Sequence, residues 1–94
     1  MNKSDILQNV KVDIGISVSA TLRDDYLMNL IDLAEAAITR EGITLDIAGS
    51  VEDGMLVESY AAFLYRKRQS DDVKMPRSLR YLLNNRLFSE KART

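Results

Sequence analysis

The sequence predicts a mostly α-helical fold: a small single domain built around a central antiparallel helix hairpin, with a further helix at each end. Two segments, residues 21–41 and 51–68, carry apolar side chains at three- and four-residue steps, which places those side chains on one face of an α-helix. The segments are similar in length and a short connector joins them, so they pack most simply as an antiparallel pair. A chain of 94 residues suffices for one domain, 1–94, with a modest core.

The first helix is predicted over residues 4–14. Ser4 is the expected N-cap, and Asp5 follows in the first turn, where a carboxylate suits the positive end of the helix dipole. Gly15 is the glycine expected to end the helix. The residues after it, 16–20, are interpreted as a loop. The apolar stripe of this helix comprises Ile6, Leu7, Val10 and Ile14.

The two hairpin helices have recognisable ends. Thr21 is the expected N-cap of the second helix, and Gly42 is the glycine that ends it. Ser50 is the expected N-cap of the third helix, which has acids in its first turn and the cations 66–68 in its last, as the dipole favours. The predicted core comprises Leu27, Leu30, Ile31, Ala34 and Ile38 on the second helix, and Leu56, Tyr60, Phe63 and Leu64 on the third, where Met55 is predicted on the same apolar face.

The connector between these helices alternates apolar and polar residues over positions 43–47, a pattern of period two that is typical of a short β-strand. A single strand leaves its backbone N–H and C=O groups unpaired, so a strand here needs a partner from residues 16–20 or from another subunit. The alternative is an extended loop whose alternate side chains lie under the hairpin. The pattern alone leaves both possibilities open.

The C-terminal third begins with a polar loop, residues 69–75. Pro76 is favoured in the first turn of the last helix, where its missing N–H costs nothing. The charged tail 89–94 is expected to be flexible. Apolar residues at helical spacing in the last helix comprise Leu79, Leu82, Leu83, Leu87 and Phe88, with Leu79 and Leu83 assigned to the core.

Little in the composition supports catalysis. The chain has no histidine and no cysteine, so it lacks the commonest general base, and no serine can be activated by such a base. Its four glycines stand apart rather than in a phosphate-binding loop. The adjacent acids 24–25 and 71–72 are interpreted as helix-dipole and solvated loop residues, respectively. We therefore expect no enzyme activity, no cofactor, no metal site and no membrane span.

The charges are divided along the chain. Residues 1–58 carry eleven acids and four bases, whereas residues 59–94 carry three acids and nine bases. Such a division can place opposed charges on two faces that attract each other between identical copies, or it can reflect solvated surface only. Candidate residues for an oligomer interface or a DNA channel are Arg66, Lys67, Arg68, Arg77, Arg80, Arg86, Asp32 and Glu35.

Three stretches carry a resemblance to a known family: LMNLIDLAEAAITREGI at 27–43, EDGMLVESYAAFLYRKR at 52–68 and, after a polar gap, MPRSLRYLLNNRLF at 75–88. In this order they resemble the small head–tail connector proteins of tailed bacteriophages and prophages, which are often labelled DNA-packaging proteins. The resemblance covers roughly residues 24–88, and the second and third stretches are its specific part.

The resemblance implies a mostly helical structural protein of the virion, located at the head–tail junction and in the bacterial host cytoplasm before assembly. Such proteins form a homo-oligomeric ring beneath the portal protein, extend the DNA channel without reading DNA sequence, and dock neck or tail completion proteins. It implies no catalytic role and no cofactor. The alternative hypothesis from the basic C-terminal third is a small DNA-associated regulatory protein of a mobile element.

Overall fold

The computed structural model describes residues 1–92 as four α-helices in a flattened body of 43 × 32 × 18 Å. They are α1 (Lys3–Ile14), α2 (Asp24–Arg40), α3 (Val51–Gln69) and α4 (Arg77–Ala92). No β-strand occurs within residues 1–92, so the mostly α-helical prediction is confirmed.

The predicted hairpin is formed by α2 and α3. Tyr26 near the start of α2 and Tyr65 near the end of α3 meet edge to face, with ring centroids 6.5 Å apart. Arg23, just before α2, also donates a 2.7 Å hydrogen bond from Nη1 to the Tyr65 hydroxyl. The start of one helix therefore lies beside the end of the other, which confirms the antiparallel arrangement.

α3 is the central element, because α1, α2 and α4 all pack against it. Its buried surface is centred on Val57, Ala61 and Ala62, whose small size lets neighbouring helices approach closely. Met55, predicted on the packed face, is 43% exposed, and that prediction is wrong. The prediction assumed a single contact face, whereas three neighbours cover α3 and leave Met55 at its margin.

Most of the predicted core is confirmed. Tyr60 and Leu64 are half-buried at the edge of the hairpin rather than enclosed. Both still pack against the buried cluster through part of their surface. The remaining predicted core residues are buried: Leu27, Leu30, Ile31, Ala34, Ile38, Leu56, Phe63, Leu79 and Leu83.

Two of the helix starts differ from prediction. Asn2, not Ser4, caps α1: its side chain accepts from the Asp5 N–H at 2.8 Å, and Asp5 Oδ2 accepts from the Asn2 N–H at 3.3 Å. This reciprocal pair satisfies two backbone donors that the helix leaves open, which a cap at Ser4 would not do. α2 begins at Asp24 rather than after Thr21, because residues 21–24 form a turn instead.

Other predicted ends are confirmed. Ser50 Oγ accepts from the Asp53 N–H at 3.2 Å and caps α3. Gly15 ends α1 at φ 82° and Gly42 follows α2 at φ 108°, both left-handed values that glycine adopts without steric cost. The backbone conformation at the ends of α1 and α2 therefore favours glycine at both positions, as the sequence predicted.

The connector between α2 and α3 is an extended loop, so the loop alternative holds and the short strand at 43–47 is absent. Ile43 is buried, while Thr44 and Asp46 face solvent, which explains the alternating pattern without strand pairing. The N-terminal ammonium donates to the Ile47 carbonyl at 2.6 Å. The Asp46 N–H donates to Asp53 Oδ2 at 2.7 Å, so the loop is anchored to α3.

α4 follows Pro76 as predicted and crosses α3. Leu79 and Leu83, one turn apart, point into the core. The helix continues to Ala92, so residues 89–92 of the expected flexible tail are helical. The last two residues of that tail, 93 and 94, lie outside the described residues.

Candidate interaction surface

α4 carries three large apolar side chains that residues 1–92 leave uncovered. Tyr81 is 69% exposed, Leu82 51% and Phe88 79%. Tyr81 and Phe88 are seven residues apart and therefore lie on the same face, about two turns from one another. The sequence analysis placed Leu82 and Phe88 at helical spacing but assigned only Leu79 and Leu83 to the core. The structure agrees with that division, because residues 1–92 cover α4 on its Leu79 and Leu83 side and leave Leu82 and Phe88 exposed.

A groove of about 660 Å³ separates the Leu82 side of α4 from α3. Met55 and Leu82 face each other across it, with Asn85 and Ser89 on its α4 wall. The groove extends the apolar surface of α4 onto α3. We call the four residues Met55, Tyr81, Leu82 and Phe88 the α4 face.

Arg86 fixes α4 to the start of α3. Its guanidinium donates to the carboxylate of Asp53, which is 1% exposed, and at 2.8 Å to the Thr44 carbonyl. Burial raises the pKa of Asp53, but Arg86 together with the N–H of Asp46 and the Ser50 hydroxyl outweighs burial and holds that pKa below its usual value. The ion pair is therefore ionised and spans the two helices.

A second arginine fixes the other end of α4. Arg80 makes two hydrogen bonds to the Glu41 carboxylate, at 2.5 and 3.4 Å, next to the end of α2. Hydrogen bonding to Glu41 raises the pKa of Arg80 further, so the guanidinium keeps its charge. Together, Arg80 and Arg86 position α4. Both were candidates for an interface or a DNA channel, but the structure uses their guanidinium groups within the chain.

The last turn of α3 carries three other candidate cations. Arg66 donates to the Asp13 carbonyl at 2.9 Å and to the Asp13 carboxylate at 2.8 Å, which ties it to α1. Lys67 and Arg68 lie over aromatic rings, each 5.8 Å from a ring centroid, and both remain exposed. These two side chains can still reach a partner through their charged ends.

Arg77 begins α4 and is exposed. Within residues 1–92 it makes no ion pair. Lys67 and Arg68 also lack an ion pair there, but of the six candidate cations only Arg77 has neither an ion pair nor an aromatic ring against its charge within the described part of the chain. It lies on the same helix as the α4 face.

The acidic candidates lie on α2, beside α1. Lys3 donates to Asp32 at 2.7 Å and lies 3.9 Å from Glu35. Glu35 Oε1 is buried and has no hydrogen-bond partner. The structure thus brings Asp32 and Glu35 together on one surface, separate from the α4 face, and matches part of their charge within the chain.

Sequence reasoning missed a buried lysine. Lys11 is fully buried in α1 and uses its ammonium to bind the Val18 carbonyl at 3.2 Å, the Ala20 carbonyl at 2.5 Å and Asp24 Oδ1 at 2.8 Å. Three acceptors satisfy the three donors of an ammonium group, which makes its burial tolerable. Lys11 follows Leu7 by one turn on the packed side of α1, and this position was a usable signal.

A second missed cluster lies where α1 ends against α3. Glu58 is 4% exposed, and the Ser59 hydroxyl lies 3.4 Å from its Oε2. Burial is the main cause that raises the pKa of Glu58 to about 7, and the neighbouring carboxyl group of Asp13 is the second. The pKa of Asp13 is lowered by its hydrogen bonds to Glu58 and Arg66. One proton shared between two carboxyl groups accounts for both directions.

Within residues 1–92, no group of three or more His, Cys, Asp or Glu side chains is placed to hold a metal ion. None of the helices in that range is long and apolar enough to cross a membrane. Comparison with protein families, with curated proteins and with solved structures finds no match for this chain.

Proposed function

We propose that this chain is a structural subunit of a tailed-phage head–tail connector, and that it binds its neighbours in the assembly through the α4 face. The exposure of Tyr81, Leu82 and Phe88 on one helix carries this proposal. Tyr81 and Phe88 share one face of α4, and exposed apolar patches typically mark sites of protein association.

The α4 face suits association energetically. Burying one such large side chain is worth about 1.5–3 kcal/mol, and aromatic residues are enriched among those that dominate binding interfaces. Two ion pairs at Arg80 and Arg86 hold α4 in place before any partner arrives. A surface fixed in this way loses less conformational entropy on binding than a mobile one.

The resemblance over residues 24–88 supplies the identity of the assembly, since apolar exposure alone specifies no partner. In this proposal the neighbours are further copies in a ring, the portal protein above it, and neck or tail completion proteins below. The exposed cations Lys67, Arg68 and Arg77 are available to DNA phosphates in the channel, where arginine and lysine act without reading sequence. The subunit performs no catalysis.

Variants of the α4 face test this function. The wild-type chain is mixed with a portal protein from the same genome, and ring formation is followed by negative-stain microscopy and mass photometry. Phe88→Ser and Tyr81→Ser should abolish or strongly weaken assembly while far-UV circular dichroism stays unchanged. Leu22→Ser is the matched control, because Leu22 is 96% exposed but lies outside α4, and it should assemble normally.

Two outcomes contradict the proposal. If the wild-type chain never joins a portal ring and instead shifts duplex DNA in a salt-dependent way, the DNA-associated alternative is favoured. If the chain assembles and the Phe88 and Tyr81 variants assemble equally well, the α4 face is not the binding surface. Absence of portal and capsid genes near its gene would also argue against a connector.

A further inference from the structure

The junction of α1, α3 and α4 brings two carboxyl groups, those of Asp13 and Glu58, close enough to affect each other's ionisation. Asp13 lies in the last turns of α1, and Glu58 lies in the middle of α3 with only 4% of its surface exposed. Arg66 directs its hydrogen bonds to Asp13 and gives none to Glu58. The neighbouring Ser59 hydroxyl is 3.4 Å from Glu58 Oε2.

This cluster borders a small cavity of about 180 Å³. Asp13, Ser59 and Arg66 form one part of its wall, and the start of α4 contributes Pro76, Ser78, Leu79 and Leu82, none of which is charged. Arg66 is therefore the only cation of residues 1–92 that lines this cavity, and it is also the only cation that lowers the pKa of either Asp13 or Glu58. Two ionised carboxylates close together at a buried position repel each other, and Arg66 can neutralise one of them.

We propose that this junction is a proton-dependent latch: a proton shared by Asp13 and Glu58 holds the end of α1 against α3, and loss of that proton loosens the junction. No bond other than the O–H of the shared proton forms or breaks, and the proton goes to solvent. The freed carboxylate of Glu58 then draws water into the adjoining cavity, because a buried charge without a counter-ion is unfavourable.

The latch connects to the rest of the surface through Leu82. This side chain lines both the cavity at the junction and the groove beside the α4 face. Loosening the junction therefore disturbs the start of α4, and with it one residue of the α4 face. The latch itself does not depend on the proposed connector function.

The titration of Glu58 tests the latch in the wild-type chain. The carboxyl carbon of Glu58 is followed by nuclear magnetic resonance across pH, and a midpoint near pH 7 is expected. A midpoint close to the ordinary glutamate value of 4.5 would overturn the proposal. This measurement needs no variant, so it remains decisive even if substitutions at the junction impair folding.

Amide hydrogen exchange tests the consequence. After correction for intrinsic chemistry, protection in residues 10–16 and 76–82 should fall between about pH 4.5 and about pH 7.5 in the wild-type chain. The fall should be at most about 300-fold, the factor given by a shift of roughly 2.5 pKa units. Glu58→Gln should remove this dependence, whereas Glu52→Gln, on the exposed start of α3, should retain it. Equal pH dependence in Glu58→Gln and wild type would contradict the latch.

Discussion

The ion pair between Arg86 and Asp53 is the contact that most directly joins α4 to the helix hairpin. Replacing Arg86 with methionine keeps an unbranched apolar stem but removes the guanidinium group and its charge. Asp53, 1% exposed, would then lie buried with the Asp46 N–H and the Ser50 cap as its remaining partners. The Thr44 carbonyl would also lose its 2.8 Å hydrogen bond.

Removing one member of a buried pair costs about 3–5 kcal/mol. The Arg86 side chain is 25% exposed, so water partly screens the pair, and we take the lower end, about 3 kcal/mol. Small domains have a total free energy of unfolding of about 5–15 kcal/mol, so this loss is a large fraction. For a domain of this size, 1 kcal/mol lowers Tm by about 4–8 °C, which predicts a fall of more than about 10 °C.

Urea unfolding followed by far-UV circular dichroism measures the loss. Arg77→Met is the matched control, because Arg77 lies on the same helix but is exposed and makes no ion pair within residues 1–92. This control substitution should change the free energy of unfolding by less than about 0.5 kcal/mol. Adding Asp53→Asn to the Arg86→Met variant should recover part of the loss, since a neutral amide needs no counter-ion. Equal effects of Arg86→Met and Arg77→Met would refute the role given to this pair.

Four further changes follow from the same structure. Lys11→Met should lower the free energy of unfolding by about 1–3 kcal/mol in chemical denaturation, because the Val18 and Ala20 carbonyls and the Asp24 carboxylate lose their hydrogen-bond donor. Asn2→Ala should cost about 1 kcal/mol through loss of the α1 cap, measured in the same way. Gly42→Ala should lower Tm, because a left-handed backbone costs a residue with a Cβ about 1–2 kcal/mol. The pKa of Glu58 is raised in the folded chain, so its stabilising effect is complete below about pH 4.5 and lost as pH rises through about 7. Urea midpoints should fall across that window in wild type and stay flat in Glu58→Gln.

The helices themselves could be predicted because their signals are local. The spacing of apolar residues gave α2 and α3, and the stops at Gly15 and Gly42 are backbone requirements visible in one residue. The hairpin followed from two helices of similar length joined by a short connector. Such features need no knowledge of what lies elsewhere in the fold.

The faces of the helices could not be predicted in the same way, because they depend on which neighbours cover them. α4 has apolar residues on two sides, and spacing alone does not say that Leu79 is covered while Phe88 is open. Met55 was misplaced for the related reason that α3 packs against three helices. An amphipathic pattern identifies a helix better than it identifies the side that is buried.

The charged contacts were the least predictable part of the candidate site. Arg86 and Asp53 are 33 residues apart, and Arg66 and Asp13 are 53 apart, so no local pattern links them. The division of charge along the chain suggested contacts between copies. In the structure, several of these opposite charges meet within one chain and hold its helices together.

The connector proposal depends on the α4 face becoming covered when the chain assembles with its portal protein. Hydroxyl-radical footprinting of the isolated and the assembled chain measures this directly. The account predicts that Tyr81 and Phe88 lose most of their reactivity on assembly, while Leu22, exposed outside α4, keeps its own. Unchanged reactivity of Tyr81 and Phe88 in assembled rings would contradict it.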